Sequence, residues 1–226
     1  MKSIALITIG QSPREDIVAS MFGSTSPEGL IERGALDHLS SAEIDELTPR
    51  PGEHPLVSRL RDGSEVVIAK ERLMPHMQTA VDSAIGDGAG LVVILCTGEF
   101  TQLSVPVPAV YPDRVLGHVV EAVLPKGRVG VMLPHPGQMQ SMCEKWRTDT
   151  RTFDGVAVSP YTGAEELSRQ ATCLKERGAD LIVLDCMGFD LMMKRTVAEA
   201  SGLPVILANR LVGRVVEELT SAGADD

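Results

Sequence analysis

Two stretches of the chain repeat one another at a constant offset of 90 residues. GAGLVVILCTGEF (88–100) lies against GADLIVLDCMGFD (178–190), with Gly88, Leu91, Val93, Cys96 and Gly98 matching Gly178, Leu181, Val183, Cys186 and Gly188. A second pair follows in the same order at an offset of 96. VPAVYPDRVLGHVVEAV (107–123) lies against LPVILANRLVGRVVEEL (203–219), where Pro108, Arg114, Gly117 and Glu121 match Pro204, Arg210, Gly213 and Glu217. A weaker echo pairs IALITIG (4–10) with VGVMLPH (129–135), as any two buried strands would. Two ordered matches describe a chain built from two copies of one unit of about a hundred residues, a common domain size.

The unit is α/β. Short apolar runs without polar alternation occur at 3–10, 91–96, 107–110, 128–133, 155–160, 181–186 and 203–208, and SEVVIA (64–69) reads as a strand after the Asp62-Gly63 turn. Helical spacing falls between them, at 12–22, 70–85, 113–124, 137–149, 163–178 and 209–219. Ser12 and Pro13 read as cap and first position of their helix, and Pro75 as a kink or a true start. Strands buried on both faces and alternating with helices indicate parallel sheets covered by helices. The turn-rich TPRPGEHP (48–55) reads as a loop, and SAGADD (221–226) as a frayed tail. The units are expected to comprise 1–113 plus 210–226, and 114–209, with a cleft between them.

Each copy puts a cysteine where a strand ends, and ligands of open parallel sheets bind outside the carboxyl ends of the strands. A single cysteine there would read as packing, since free cysteine is among the most buried residue types. A pair placed by a repeat can face one another across a ligand. One thiolate can then take a proton from a carbon while the opposite thiol returns one to the other face, which inverts the centre without a cofactor. The site must stabilise both the thiolate and the carbanion. Thr97 and Asp185 offer polar atoms beside the cysteines: Thr97 to a carboxylate or thiolate, Asp185 to an ammonium or a base. Cys143 and Cys173 have no such symmetry and read as structural.

Composition removes other classes. Aromatic residues are 3% of the chain, so platforms for stacking nucleic-acid bases are scarce, and the formal charge of −10 without a basic cluster opposes phosphate-backbone binding. No CxxC pair or metal-ligand histidine spacing occurs, so neither zinc nor a disulfide framework is expected. MKSIALITIG is too soon interrupted for a signal peptide, and no run approaches a membrane span. The expectation is a soluble cytoplasmic protein that uses no cofactor or metal and binds neither nucleic acid nor membrane. The apolar helix faces permit a homodimer.

The motifs VILCTG (93–98) and VLDCMG (183–188) resemble the paired cysteine motifs of the aspartate/glutamate racemase superfamily. ITIGQSPRED (7–16), LDCMGFD (184–190) and 203–219 resemble the AroM family within it. The resemblance spans almost the whole chain and implies two pseudo-twofold-related, flavodoxin-like units with Cys96 and Cys186 as opposing acid and base. The superfamily includes hydantoin racemases, maleate isomerases and arylmalonate decarboxylases. Where such racemases carry Thr and then His after the second cysteine, this chain has Met187 and Gly188, and TIGQSPR (8–14) replaces their Asp-Ser signature.

The resulting expectation is a racemase or isomerase of a small carboxylate or amino-acid derivative. The alternatives are a cysteine-dependent cis-trans isomerase or decarboxylase of a dicarboxylate, and a small-metabolite sensor. The expected substrate contacts are Thr8, Gly10, Gln11, Ser12 and Arg14 after the first strand, Thr97 and Gly98, Met187 and Gly188, and Asn209. For the 8–14 stretch two readings stand level: amides at a helix start bind an anion, or Ser12 caps the helix and Arg14 is solvated. Arg114 and Arg210 read as surface or interface salt bridges rather than carboxylate ligands. His135, in a strand-end loop, is the histidine best placed to join the site.

Overall fold

A computed structural model of the chain describes residues 3–23, 27, 29–161 and 163–221. Two four-stranded parallel sheets form its frame. In the first, β1 (Ser3–Thr8) is flanked by β2 (Leu30–Gly34) and β5 (Ala89–Leu95), and β6 (Ala109–Val110) forms the edge. In the second, β7 (Gly127–Leu133) is flanked by β8 (Arg151–Ala157) and β9 (Leu181–Leu184), with β10 (Val205–Leu207) at the edge. Taken in chain order within each sheet, both read second-first-third-fourth. The sequence repeat is therefore a repeat of topology, and the cysteine strands β5 and β9 hold equivalent places.

Period-two burial sorts each strand between two layers. Ile4 and Leu6, Leu91, Val93 and Leu95, and Leu181 and Val183 face one shared core between the sheets. That core is filled by α1 (Glu15–Phe22), α4 (Pro112–Val123) and α8 (Ala208–Thr220), and by Trp146 of α5 (Met139–Trp146). The alternate residues face outward. Ala5, Ile7, Val92 and Ile94 pack on α3 (Lys70–Gly86), and Ile182 and Leu184 pack with α6 (Ala164–Glu176) and α7 (Leu191–Ser201). Pro75 lies inside α3 without ending it.

The boundaries expected at 113/114 and 209/210 both fall within helices, near the starts of α4 and α8. These two helices are repeat partners, pack on each other and fill the shared core, so each belongs to both units. The expected helix at 12–22 starts only at Glu15, because the Ser12 hydroxyl and amide both bond to Asp37 instead of to the helix. The tail at 221–226 lies outside the described residues after Ser221.

One element departs from the parallel plan. β3 (Pro55–Arg59) and β4 (Glu65–Ala69) form a separate antiparallel hairpin, and β3 begins at the end of the stretch read as a loop. Gly63 closes its turn at φ 89°, a left-handed conformation that glycine adopts without strain. Among the described residues the hairpin has no counterpart in the second unit. The short α2 (Ser41–Glu46) is marked by a capping box between Ser40 and Glu43, a signature present in the sequence. Among the described residues no helix is long and apolar enough to cross a membrane.

Candidate functional site

β5 and β9 end one residue before Cys96 and two before Cys186. Beyond each cysteine the chain turns in the same way, so that the amide two residues on donates back to sulfur. Gly98 N lies 3.4 Å from Cys96 Sγ, and Gly188 N lies 3.4 Å from Cys186 Sγ. Both cysteines line one cavity of about 540 Å³ between the two units. Its walls are largely apolar, with Ile9, Ile17, Leu56, Met142 and Met187, and its polar groups include Arg14, Lys70, Asp113, Lys145 and Tyr161.

Burial dominates the chemistry of both thiols, because a thiolate loses solvation there. Cys96 is pushed up to about 12, and Cys186 to about 11. The glycine amides oppose the shift in both cases. Lys145 also draws Cys96 down while Cys186 and Asp185 push it up; Arg14 draws Cys186 down. This environment therefore favours the protonated thiol at both positions at neutral pH.

The two ends of the cleft differ in charge. Asp185 stands where the other repeat has Leu95, and its side chain is fully buried. The carboxylate accepts from Lys145 Nζ at 2.9 and 3.1 Å and from Trp146 Nε1 at 2.8 Å. Lys145 also donates to the Thr97 carbonyl at 3.2 Å. The Thr97 hydroxyl donates to the Asp185 carbonyl at 3.1 Å. Thr97 lines the cavity, but its proton is committed to the opposite loop and is not offered to a carboxylate.

The 8–14 stretch divides. Arg14 lines the cavity; Thr8, Gly10, Gln11 and Ser12 do not. Thr8 Oγ1 is buried and accepts from Gly10 N at 3.3 Å, so it shapes its own turn. Gln11 accepts from Arg61 N at 3.0 Å, and Ser12 donates to Asp37 at 2.6 Å. Gly10 serves close packing: a Cβ there would lie 2.2 Å from Ser58 Oγ and 2.9 Å from the Arg59 carbonyl. The stretch thus neither presents a row of amides to an anion nor caps α1 with Ser12; it seats the hairpin. Arg14 is not solvated either, at 6% exposure. It pairs with Asp16 through Nε at 2.9 Å and Nη2 at 2.8 Å, while Nη1 has no hydrogen-bond partner among the described residues.

Gly98, Met187 and Gly188 line the cavity with their cysteines. Asn209 does not reach it. It is buried, and its Nδ2 donates to the Met187 carbonyl at 2.9 Å and the Phe189 carbonyl at 2.5 Å, while Oδ1 accepts from Ser20. Asn209 therefore holds the Cys186 loop from beneath. His135 is turned to its own loop and accepts from Gly137 N at 3.0 Å. Arg210 donates to the Met21 carbonyl, and Arg114 stacks over Tyr111. Among the described residues no cluster of three His, Cys, Asp or Glu could hold a metal ion.

Lys145, Tyr161 and the hairpin wall were not legible as site residues. Pro55 to Ser58 line the cavity from the hairpin, which is tied to both units. Arg61 donates to the Ser12 carbonyl at 2.6 Å and to Asp37 at 2.7 Å on one side. On the other side Gln138 donates to the Pro55 carbonyl, Ser159 to Glu65, and Arg59 lies 5.4 Å over the Tyr161 ring. No local sequence signal marks these long-range contacts.

Solved structures share this architecture. Unliganded arylmalonate decarboxylase superposes with a TM-score of 0.63 at 13% identity, covering 99% of this chain and 94% of its own. Glutamate racemase from Francisella tularensis subsp. tularensis SCHU S4, in complex with D-glutamate, gives 0.62 at 10% identity over 96% and 80%. Allantoin racemase from Pseudomonas fluorescens gives 0.53 at 13% identity over 96% and 90%. At these identities the likeness establishes the racemase-like fold. No curated protein sequence matches the chain. The family model described as AroM protein matches residues 4–220, and the chain belongs to the AroM family.

Proposed function

We propose that the protein is a cofactor-independent racemase or isomerase of a small carboxylate or amino-acid derivative, with Cys96 and Cys186 as its acid/base pair. The observation that carries this reading is the placing of two thiols, from equivalent strand ends, on the wall of one cavity, each with a glycine amide 3.4 Å from sulfur. The likeness to racemases in fold supports it at the level of architecture. In the reaction one sulfur takes the proton from the substrate carbon and the other returns a proton to the opposite face, so no net proton is consumed. Arg14 Nη1 supplies the free donor for the substrate carboxylate, and that anion's pairing with Arg14 replaces the solvation lost on entering the cleft. Lys70, on the cavity wall, adds positive potential.

The high affinity of both thiols for their protons favours a second reading, a decarboxylase. A carbanion left by loss of carbon dioxide needs one protonated thiol and no thiolate. The likeness in fold to arylmalonate decarboxylase is compatible with it. The test is loss of the Cα–H signal in deuterated water, followed by NMR over amino acids, hydantoins and dicarboxylates, together with carbon dioxide release. The two-base reading requires exchange that Cys96→Ala and Cys186→Ala alter separately. Exchange surviving in both variants, or none with any compound, overturns it. Carbon dioxide release that needs only one of the cysteines establishes the decarboxylase.

A further inference from the structure

Each repeat ties down the carbonyl of the residue that follows its cysteine, but by different means. The Met187 carbonyl accepts from the neutral amide of Asn209. The equivalent carbonyl, that of Thr97, accepts from the ammonium of Lys145 at 3.2 Å. The repeat partner of Asn209 is Asp113, whose carboxylate has no amide hydrogens to give, so the first loop has lost the second loop's fastening. Lys145 comes from α5 of the second unit, and the same ammonium holds Asp185, which directly precedes Cys186. The Thr97 hydroxyl then returns to the Asp185 carbonyl. Thr97, Lys145 and Asp185 form a closed ring that passes from the residue after one cysteine to the residue before the other.

We propose that Lys145 is the positioning residue of the two-thiol cleft. It holds the Cys96 loop against the Cys186 loop, and its charge offsets the buried Asp185 carboxylate, whose residue directly precedes Cys186. The inference rests on the two-thiol reading of the site. Lys145 does not itself meet substrate in this role: its hydrogen bonds go to Asp185 and Thr97. The other charged or titratable groups around the ring include Cys96, Cys186 and Asp113, with Arg14, Tyr161 and Glu65 on the Cys186 side, and Lys70, Glu99 and Glu144 on the same cavity wall. Lys145 stabilises the Cys96 thiolate; Arg14 has the corresponding place for Cys186. Loss of Lys145 therefore acts on the two thiols unequally, which a general loosening of the fold would not do.

The test needs no substrate. Alkylation of each cysteine by iodoacetamide is followed by mass spectrometry across pH in the native protein, Lys145→Met, Asp185→Asn and the double variant. Trp146, the only tryptophan, donates to Asp185 and reports the ring by its fluorescence. At pH near 9.5 Lys145→Met is expected to slow Cys96 by about tenfold, and Cys186 by less than half as much on the logarithmic scale. Adding Asp185→Asn removes the stranded charge and is expected to restore Cys96 to within about threefold. If Lys145→Met does not fold, folding of the double variant supports the same assignment. Equal slowing of both thiols, no slowing, no rescue, a double variant that also fails to fold, or a Cys96 that reacts only in urea overturns it. If the rescue pattern holds but no compound exchanges its Cα proton, the racemase reading fails and the ring stands.

Discussion

The Thr97 hydroxyl donates to the backbone carbonyl of Asp185 at 3.1 Å, linking the residue after the first cysteine to the residue before the second. This bond crosses between units, and it sets the pair of strand ends as one object rather than two loops that happen to meet. Its surroundings are buried, so its geometry is coupled to how the two units pack.

Folding stability should fall as the solution becomes more alkaline. Both cysteine thiols are raised from an ordinary value of 9.0, to about 12 and about 11. Above pH 9 the unfolded chain releases protons that the folded chain retains. The stability contributed by the buried thiols is whole below pH 9 and is lost progressively up to about pH 11 for Cys186 and about pH 12 for Cys96. The loss approaches ~1.4 kcal/mol per pH unit for each thiol at its steepest. Urea titrations at pH 8, 9 and 10 should show this slope, and Cys96→Ala should flatten it. Equal slopes in the two proteins would contradict the burial of Cys96 in its neutral form.

Gly213 and Gly117 are repeat partners with opposite surroundings. A Cβ on Gly213 would lie 2.4 Å from the Met21 carbonyl oxygen, where α8 crosses α1, whereas one on Gly117 meets nothing within 4 Å. Gly213→Ala should cost ~1–3 kcal/mol through overpacking against backbone. Gly117→Ala, inside α4, should gain ~0.5–1 kcal/mol from helix propensity. Chemical denaturation of the two variants side by side reads the difference in sign.

Gly10→Ala should loosen the hairpin. The added methyl meets the Ser58 hydroxyl and, less avoidably, the Arg59 backbone. A cost of ~1–3 kcal/mol is expected, with faster amide hydrogen exchange at 55–69 than elsewhere. Exchange rising evenly over the whole chain would argue against the 8–14 turn as the seat of the hairpin.

Asn209→Asp should be more harmful than Asn209→Ala. The amide nitrogen serves two buried carbonyls, and a carboxylate there would repel both. Alanine leaves acceptors unsatisfied at ~1–3 kcal/mol, and the charged replacement costs more. Melting temperatures give the order, and faster alkylation of Cys186 in Asn209→Ala than in the native protein would show that the loop beneath it has been released.

Much of this arrangement could be read along the chain. The repeat of Gly-Ala-x-Leu-x-Val-x-x-Cys-x-Gly specifies a buried strand and the turn after it twice over, and the two sheets carry these strands in equivalent places. Apolar runs at period two are local, and so is the switch to helical spacing. The reading was weaker where an element is short or polar. β3 starts at Pro55, the last residue of the turn-rich stretch, and its pairing with β4 depends on a turn and on cover from both units.

The site was legible only in part, for a related reason. Arg14, Thr97, Gly98, Met187 and Gly188 line the cavity with the two cysteines, whereas Thr8, Gly10, Gln11, Ser12 and Asn209 act from behind it. A residue near a strand end has two ways to point, and sequence spacing does not choose between them. The sequence by itself determined that two like units each bring a cysteine to the carboxyl end of a buried strand, because hydrophobic periodicity and turn chemistry act over a few residues. Tertiary structure alone decided that Lys145 meets Asp185 across 40 residues and that the hairpin walls the cleft. Those contacts join polar groups that are far apart in the chain, and their partners are selected by burial, which is a property of the packed molecule.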